Sequence, residues 1–461
     1  MNRSTPRGLR ARLAAVLAVL LAACGGGEVA SPLLPLPGVT CSTLDERLWL
    51  AEYFDAWYFW RELAPSPDPW RDRSLAAFFD ASLYTGSDPR FPRDRWSAME
   101  PSADYDRFFG EGKLLGYGLF LTGLETHGDP ARPLRVRYVE PRSDAAAQGV
   151  RRGDTVLSVD GRAAAEIVAA DDYGVFSPER EGRSLALVLE REGLVRNVTL
   201  RASAYPLEPV TLVRVLQTPQ GRRMGYLHVK DMIEPAEAAL DDAFARMRSQ
   251  GATELAIDLR YNGGGLVTTA RRLASYVARE RTRDQVFARL LYNDRRAREE
   301  NQTLRFERRD QALSLSRVYV LTGPRTCSAS ELVINGLRPF VEVVTVGDTS
   351  CGKPVGFRPV SRCDTTFNVV NFEGVNARDE GRYFDGIAAR CAVDEDFSRE
   401  LGSLQEPRGS RVPEERHIGK IPKLANALGR RAPLRRPPLN VALGDYSAVV
   451  DHEAAVRELP L

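Results

Sequence analysis

Residues 253–280 read TELAIDLRYNGGGLVTTARRLASYVARE: an apolar strand pattern, a glycine triplet and a helical pattern in succession. The run 253–261 has the length and composition of a buried strand. The glycines at 263–265 permit a tight turn, in which bare backbone N–H groups face a ligand at the start of the helix 266–280. The same triplet also suits a purely structural turn. A strand followed directly by a helix indicates an α/β layer.

The same alternation continues across residues 204–400, which we predict to form one α/β domain. A strand at 225–230 precedes a helix at 235–249, and a strand at 317–322 precedes the turn GPRTCSASEL at 323–332. A further strand at 341–347 leads to the turn DTSCGKP at 348–354. The two polar turns are therefore the candidate positions for catalytic residues.

Ser328 lies in the first of these turns, before a helix that reaches about residue 337. A serine at a strand-to-helix turn is exposed as a nucleophile, and nearby amides can bind an oxyanion. Ser328 and Glu331 also have the spacing of a capping box, which stabilises a helix start by about 1 kcal/mol. The serine alone leaves both interpretations open.

The order of the motifs decides between them. DLRYNGGG at 258–265, SASE at 328–331 and GK at 352–353, with Lys353 following Ser328 by 25 residues, resemble the motifs of the carboxyl-terminal-processing, or tail-specific, serine proteases. The resemblance covers residues 41–400. It implies that Ser328 is the nucleophile, that Lys353 is the general base and that the N–H groups of Gly264 and Ala329 bind the oxyanion.

The base must be an uncharged amine, whereas a free lysine has a pKa of about 10.4. Burial against an apolar wall lowers that pKa by up to roughly 3 to 5 units. Cys351, Pro354, Val355 and Phe357 are the nearby residues that we expect to form the wall.

The chain departs from the family at the position of a third catalytic residue. Some members have an Asp or Gln that orients the lysine, but Pro339 and Phe357 stand at those positions here. The third residue is therefore unassigned, with Glu331 and Thr349 as nearby polar side chains. His228 lies in an apolar strand pattern, and we interpret it as a core or groove residue rather than a base.

Residues 110–203 consist of short strands and turns. GYGLF at 116–120, PRSDAAAQGV at 141–150 and GDTVLSVDG at 153–161 follow one another in the order of a PDZ domain, which they resemble. The resemblance implies a β-barrel domain that binds an extended peptide as an added strand, with Gly118 and Leu119 holding its terminal carboxylate. The alternative to peptide capture is that the glycine turn serves only the geometry of the barrel.

The N-terminus carries an export pattern, because arginines precede the apolar run 13–23. LAAC at 21–24 resembles the bacterial lipobox, which implies a signal peptide at 1–24, a lipidated Cys24 and a flexible tether at 25–40. The residue after the cysteine is Gly25 rather than Asp, which resembles the sequence of Gram-negative lipoproteins that are sorted to the outer membrane. A plain cleaved signal peptide and an uncleaved anchor are the alternatives. The predicted location is the bacterial cell envelope, on the periplasmic side or the surface of the outer membrane.

Two further regions flank the predicted domains. Residues 41–109 contain helical patterns at 44–59 and 75–84, and we expect their tryptophans to form a core: Trp49, Trp57 and Trp60. Residues 401–461 are rich in proline and arginine and are predicted to be a mobile tail.

Composition excludes several classes of function. Lys plus Arg is 64 and Asp plus Glu is 62, so the net charge of +2 gives no reason to expect a nucleic-acid partner. Paired short cysteine spacings are absent and the chain has 4 histidines, so neither a metal nor a cofactor is expected. GDTSCGK at 347–353 matches a phosphate-binding loop up to its lysine, but Pro354 replaces the required Ser or Thr.

The cysteines after Cys24 fit an oxidising compartment. They number five, so at least one is expected to lack an intramolecular partner: Cys41, Cys327, Cys351, Cys363 and Cys391. We predict two bridges among the last four, with Cys327 in a disulfide rather than as a reactive thiol.

These features predict a multidomain α/β protein with a small helical domain at 41–109, a PDZ-like β-barrel at 110–203 and an α/β Ser/Lys protease core at 204–400. The predicted function is that of a serine endopeptidase that cleaves proteins or peptides near their free C-termini and is held at a membrane by its lipid anchor. The alternative is an inactive lipoprotein scaffold whose PDZ domain binds partners.

Overall fold

The computed structural model describes residues 40–71, 73–218 and 221–402. All of the described helices and strands belong to the unit that begins at Thr43. The predicted signal peptide with Cys24, the tether except residue 40, and the tail from residue 403 lie outside the described residues. Within the described ranges, no helix has the length and apolar content needed to span a membrane.

A six-stranded sheet forms the centre of the fold. Its strands, in spatial order, are Val210–Gln217, Arg223–Val229, Glu254–Asp258, Arg317–Thr322, Glu342–Gly347 and Cys391–Ala392. The first pair is antiparallel and each later pair is parallel. Three helices connect the parallel strands: Ala236–Ser249, Val267–Ser275 and Ala329–Leu337. They pack Phe244, Leu273 and Val333 into one apolar core, so the predicted mixed α/β fold is confirmed.

The register of this sheet brings the predicted site turns together. Asp258 pairs with Leu321 of the neighbouring strand, and Thr322 pairs with Gly347 of the next. The carboxyl ends of adjacent parallel strands lie at one edge of a sheet, where α/β proteins bind ligands. The glycine triplet, the turn with Ser328 and the turn that leads to Lys353 therefore start side by side.

The helix predicted at 266–280 is shorter in the structure. It ends at Ser275, and a separate helix, Arg279–Thr282, follows it. The chain leaves the helix because its backbone bonds to another segment: Leu313 N donates to Tyr276 O at 2.8 Å, and Arg279 N donates to Leu313 O at 2.8 Å. Helical periodicity in the sequence does not reveal such a distant partner.

Two antiparallel sheets lie beside the central one. The strands of the larger, in spatial order, are Gln302–Arg305, Val286–Tyr292, Val370–Val375 and Val355–Phe357. The smaller contains Ala98–Pro101, Thr365–Asn368 and Val360–Arg362. A short helix, Ala297–Glu300, connects two strands of the larger sheet. Lys353 thus precedes a strand rather than a helix.

Residues 113–206 form a β-rich module with its own apolar core. The described part of the module contains three sheets. The first pairs Lys113–Gly116 with Ser203–Pro206, and the second pairs Leu119–Leu121 with Val136–Val139. The strands of the third, in spatial order, are Arg162–Ala163, Thr155–Val159, Ser184–Arg191 and Leu194–Arg201. Its helical segments are Leu124–Thr126, Asp144–Ala147, Ala164–Ala170 and Tyr173–Phe176. In the described residues, the strands of the predicted β-barrel are divided among these three sheets. The bridge of Arg135 and Thr155 and three backbone hydrogen bonds between residues 134–136 and 153–156 join two of the sheets.

The helical N-terminal region shares its core with the sheets. Its helical elements are Thr43–Trp57, Leu75–Ala81, Ser102–Tyr105 and Asp106–Gly110. Trp60 is buried as predicted, whereas Trp49 and Trp57 are half-buried. The cluster around Trp60 also contains Phe367 and Val370. The apolar faces of these helices are therefore covered by strands that lie far away in the sequence.

Candidate active site

Ser328 occupies a sharp turn between the strand Arg317–Thr322 and the helix Ala329–Leu337. Its backbone has φ 53° and ψ −116°, a combination that a residue with a Cβ atom rarely adopts. Such strain persists only where the surrounding structure holds the residue, and it is common at active sites. The turn projects Ser328 at the start of a helix, as the sequence predicted.

Hydrogen bonds fix this turn against the glycine triplet. Cys327 N donates to Asn262 O at 3.1 Å, and Ser330 Oγ donates to the same oxygen at 3.0 Å. Thr326 Oγ1 donates to Leu259 O at 2.8 Å. The two turns therefore behave as one unit, which keeps Ser328 next to the residues at 262–265.

Gly264 lies close to Ser328. A Cβ atom at Gly264 would lie 2.8 Å from Ser328 Cβ and 3.0 Å from Ala329 N, so a larger residue does not fit. Its φ of 106° also favours glycine. The two predicted oxyanion residues thus flank the serine. The Gly264 N–H, however, donates to Asn262 Oδ1 at 2.8 Å in this structure.

Lys353 lines the same cavity as Ser328. Its side chain is buried, and Nζ lies 4.1 Å from the centre of the Phe357 ring. Burial lowers the pKa of Lys353 to about 7, although the charges of Asp94 and Glu331 act in the opposite direction. The apolar wall that we expected is therefore partly the ring of Phe357.

Glu331 connects the turn of Ser328 to the turn of Lys353. Its Oε2 accepts from Ser328 N at 2.9 Å and from Lys353 N at 2.8 Å. Its Oε1 accepts from Gly352 N at 2.8 Å and from Ser350 Oγ. Burial raises the pKa of this carboxyl, while these four donors oppose the shift. Glu331 therefore holds the two turns together through their backbones, which goes beyond a capping box.

A disulfide makes a second connection between these turns. Cys327 and Cys351 are bonded, as the prediction for Cys327 required. The predicted second bridge among the last four cysteines was wrong, because Cys391 is a free thiol on the short edge strand Cys391–Ala392. Glu331 lies within 4.8 Å of both bonded sulfurs, but a disulfide offers no thiolate for a metal ion.

The cavity in front of Ser328 has a volume of about 310 Å³. Its walls come from the helical region, the four-stranded sheet and the site turns with the starts of the helices that follow them. Its apolar lining includes Tyr105, Phe109, Leu266, Leu290, Leu332 and Phe372. A mostly apolar cleft with a few polar groups at one end is the usual form of a small-ligand or side-chain pocket.

The other predicted residues lie away from this cavity. Gly118 has φ 77°, and a Cβ atom there would lie 1.9 Å from Ser143 Cβ, so only glycine fits this turn of the β-rich module. Leu119 begins the strand Leu119–Leu121. Neither residue lines the cavity. Thr349 donates its N–H to the adjacent Asp348 side chain at 2.6 Å, and no hydrogen bond of Thr349 to Lys353 is seen in the described residues.

His228 is fully buried in the central sheet. Its Nδ1 lies 2.5 Å from Thr211 Oγ1, and the rings of Tyr138 and Tyr261 lie near it. Burial lowers the pKa of His228 to about 4, so the ring is neutral at pH 7. It does not line the cavity, which agrees with the interpretation as a core residue.

The sequence did not identify Asp94 as part of this environment. Asp94 is buried and accepts from Tyr58 Oη and Ser97 Oγ, both at 2.7 Å. Its charge favours the protonated form of Lys353. Asp94 precedes the lysine by more than half of the chain, and no local pattern links them.

Comparisons with known proteins show similarity to peptidases. Residues 223–385 match the model of Peptidase family S41. The chloroplastic C-terminal processing peptidase of Tetradesmus obliquus is 26% identical over 257 residues, which cover 52% of this chain and 52% of that protein. The carboxyl-terminal-processing protease of a Picosynechococcus species is 24% identical over 234 residues, which cover 50% of this chain and 53% of that protein. The chain spans about half the length of the curated relatives it matches.

A solved structure shares the fold. The crystal structure of a candidate S41 protease from Bacteroides fragilis aligns with a TM-score of 0.58 and 24% identity, over 76% of this chain and 91% of that chain. The matched segment 223–385 contains the glycine triplet, Ser328 and Lys353. Residues 223–385 are therefore similar to peptidase family S41, and about half of the chain is similar to carboxyl-terminal-processing proteases.

Proposed function

We propose that this chain is a serine endopeptidase in which Ser328 is the nucleophile and Lys353 is the general base. The observation that carries the proposal is that both side chains line one cavity. In this cavity, burial lowers the pKa of Lys353 to about 7. A lysine with that pKa is uncharged in about half of the molecules at pH 7, so it is able to accept a proton from a serine. The similarity to family S41 over residues 223–385 supports the same chemistry.

In the proposed reaction, Ser328 Oγ bonds to the carbonyl carbon of the substrate while its proton passes to Lys353 Nζ. The negative charge that forms on the carbonyl oxygen is bound by the Ala329 N–H at the helix start. Lys353 then gives the proton to the departing amine. Water, deprotonated by Lys353 in turn, hydrolyses the acyl-serine ester and restores both side chains.

Gly264 is the second proposed oxyanion donor. Because its N–H donates to Asn262 Oδ1, it must exchange that partner for the oxyanion when the substrate arrives. Catalytic hydrogen bonds often form fully only in the complex with the substrate, so the present bond does not remove Gly264 from this role.

The proposed substrates are proteins that present a free C-terminus. In this proposal the β-rich module is a PDZ-like domain that binds the tail as a strand added beside Leu119–Leu121, with its carboxylate at the turn of Gly118. The resemblance of residues 116–120 to a carboxylate-binding turn supports this role, while the Ser143 side chain fills the space that a Cβ atom of Gly118 would need. Lipidation of Cys24, which would hold the enzyme at a membrane of the bacterial envelope, completes the proposal.

Two substrates test the peptidase activity and the capture of the tail. One is an unfolded protein with an apolar tail, and the other is the same protein amidated at its C-terminus. We expect the wild type to cleave both, with a KM about tenfold higher for the amidated form because it lacks a charge-assisted contact. Ser328→Ala should cleave neither. Fragments are identified by mass spectrometry.

Equal KM values for the two forms would remove tail capture and leave the peptidase. A wild type that is folded and binds tails but cleaves nothing would instead favour the rival function, an inactive scaffold that recruits partners through the β-rich module.

A further inference from the structure

The amine of Lys353 packs against an aromatic ring in the cavity. Nζ lies 4.1 Å from the centre of the Phe357 ring, and the lysine side chain is buried. Within the described ranges no hydrogen bond or ion pair of this Nζ is seen, because the group of Lys353 that donates to Glu331 is the backbone N–H. A ring face attracts an ammonium group at this distance. Phe357 is therefore the contact that holds the end of the lysine side chain.

A β-bulge determines where this ring points. In the four-stranded sheet, Gly356 lies opposite Phe372. The next residue, Phe357, lies opposite Val370, so the pairing skips Asn371. An extra residue on one strand bends the pair and redirects the neighbouring side chains, and such bulges are frequent next to active sites. The direction of the Phe357 ring therefore depends on the extra residue at 371.

Hydrogen bonds of a buried side chain fix the bulge. Asn371 is fully buried, its Oδ1 accepts from Arg358 N at 2.7 Å, and its Nδ2 donates to Trp57 O at 3.2 Å. Arg358 follows Phe357 directly, so the amide of Asn371 holds the backbone that carries the ring. The ring also packs against the apolar cluster around Phe108. The ring is thus fixed both through its backbone and through its apolar surroundings.

An aromatic ring suits a base that changes its charge in every cycle. The neutral amine requires an apolar wall, whereas the ammonium that forms when Ser328 gives up its proton requires an attractive partner. The face of a ring provides both. A carboxylate in contact with Nζ would instead raise the pKa of the lysine by about 1 to 3 units and keep the base protonated.

We propose that Phe357 is a positioning residue for the general base and that the bulge at Asn371 aims its ring at Lys353. The inference rests on the proposed function and deepens it. The ring holds Nζ in the cavity with Ser328 while the amine is neutral, and it binds the ammonium after the Oγ–H proton of Ser328 has moved to Nζ. Phe357 acts through Lys353 and takes no part in the bonds that form or break.

The test measures the rate at which a fluorophosphonate labels Ser328 between about pH 5.5 and pH 9.5. In the wild type the rate should rise through one ionisation, since burial lowers the pKa of Lys353 to about 7. Phe357→Leu keeps an apolar side chain but removes the ring, so we expect labelling to be about tenfold slower at every pH, with no upward shift of the ionisation. Phe357→Tyr keeps the ring and should stay within about threefold of the wild type.

Two further variants separate positioning from simple filling of space. Phe357→Gln places an amide oxygen near Nζ that accepts from the ammonium and favours it, so the ionisation should move up by about one unit. Asn371→Ala removes the acceptor of Arg358 N. It should slow labelling about fivefold although the Phe357 ring is still present.

The other charged and titratable groups near the amine are unchanged in the variants at position 357. In the described residues they are the carboxylates of Asp94 and Glu331 and, in the cavity lining, the guanidinium of Arg358 and the phenols of Tyr105, Tyr292 and Tyr383. A shift of the ionisation is therefore assigned to the substituted ring. Phe91→Leu is the matched control and should behave as the wild type, because the Phe91 ring lies 5.0 Å from Arg382 Cζ but does not line the cavity.

The outcomes separate this proposal from the one on which it rests. Thermal unfolding verifies that each variant is folded, and the variants at position 357 decide alone if Asn371→Ala is not. If folded Phe357→Leu is labelled as fast as the wild type, or if Phe91→Leu slows labelling to the same extent, the positioning role is wrong. An unshifted ionisation in folded Phe357→Gln also overturns it. If the folded wild type is never labelled, the proposed function itself fails.

Discussion

Lys353 is the residue whose protonation state controls the proposed chemistry. Burial lowers its pKa to about 7, so the reactive amine increases as the pH rises. The uncharged fraction is about a tenth at pH 6 and about nine tenths at pH 8. The value of kcat/KM, which reports the ionisations of the free enzyme, should therefore rise with pH through a single ionisation near 7, as a pH–rate profile would measure.

Substitution of the lysine gives the matching control. Lys353→Arg should be as inactive as Lys353→Ala, because guanidinium stays protonated. Normal turnover in Lys353→Arg, or a flat profile between pH 6 and 8, would contradict the assignment. The stability of the fold changes with pH in the same direction as the activity. Between the folded pKa of about 7 and the free value of 10.5, the unfolded lysine binds more protons than the folded one. The free energy of unfolding therefore rises with pH over that range.

Glu331 is the residue that we expect to stabilise the site most. Glu331→Gln keeps the shape but turns an amide NH₂ toward two of the four donors, and each unpaired buried donor costs about 1–3 kcal/mol. We expect a loss of about 2–4 kcal/mol in denaturant unfolding and a lower kcat, since both site turns lose an anchor. Glu342→Gln, at a half-exposed surface pair, should cost at most about 1 kcal/mol. Equal effects of the two substitutions would disprove the connecting role.

At the level of elements, the disulfide and the sheet edge hold the site together. Cys327 and Cys351 join two turns that leave neighbouring parallel strands and are 24 residues apart in the sequence. Replacing both with serine should cost about 3 kcal/mol and lower kcat, because only hydrogen bonds then align the turns. The measurement is denaturant unfolding combined with turnover in the presence and absence of a reductant.

Cys391→Ser is the matched control for the disulfide, because Cys391 is a free thiol outside the cavity. It should lose activity with reductant in the same way as the wild type. A double Cys327→Ser, Cys351→Ser variant with full stability and turnover would show that the bridge does not support the site.

The strands and helices of the core were predictable, because each has a local pattern. Three motifs in a fixed order also located Ser328 and Lys353. The sequence did not predict the cysteine pairing, since several pairings satisfy the same count of cysteines. Nor did it predict the end of the helix at Ser275, where bonds to Leu313 override the helical periodicity. Contacts between distant segments determine both features.

At the scale of the whole molecule, the regions meet around one cavity. The helical region contributes Tyr105 and Phe109 to its wall, while the β-rich module contacts the nucleophile turn through Arg325. The sequence indicated three separate domains because the predicted pattern of helices, strands and turns changes at their borders. The shared core of Trp60 and Phe367 depends instead on residues far apart in the chain, which no local pattern reveals.

Labelling by a fluorophosphonate at pH 8, followed by peptide mapping, tests the central claim that Ser328 is the nucleophile. The label should lie on Ser328, disappear in Ser328→Ala, fall strongly in Lys353→Met, and remain in Ser330→Ala, because the Ser330 hydroxyl is buried and donates to Asn262 O. A label on Ser330, or none on the folded wild type, would contradict the account.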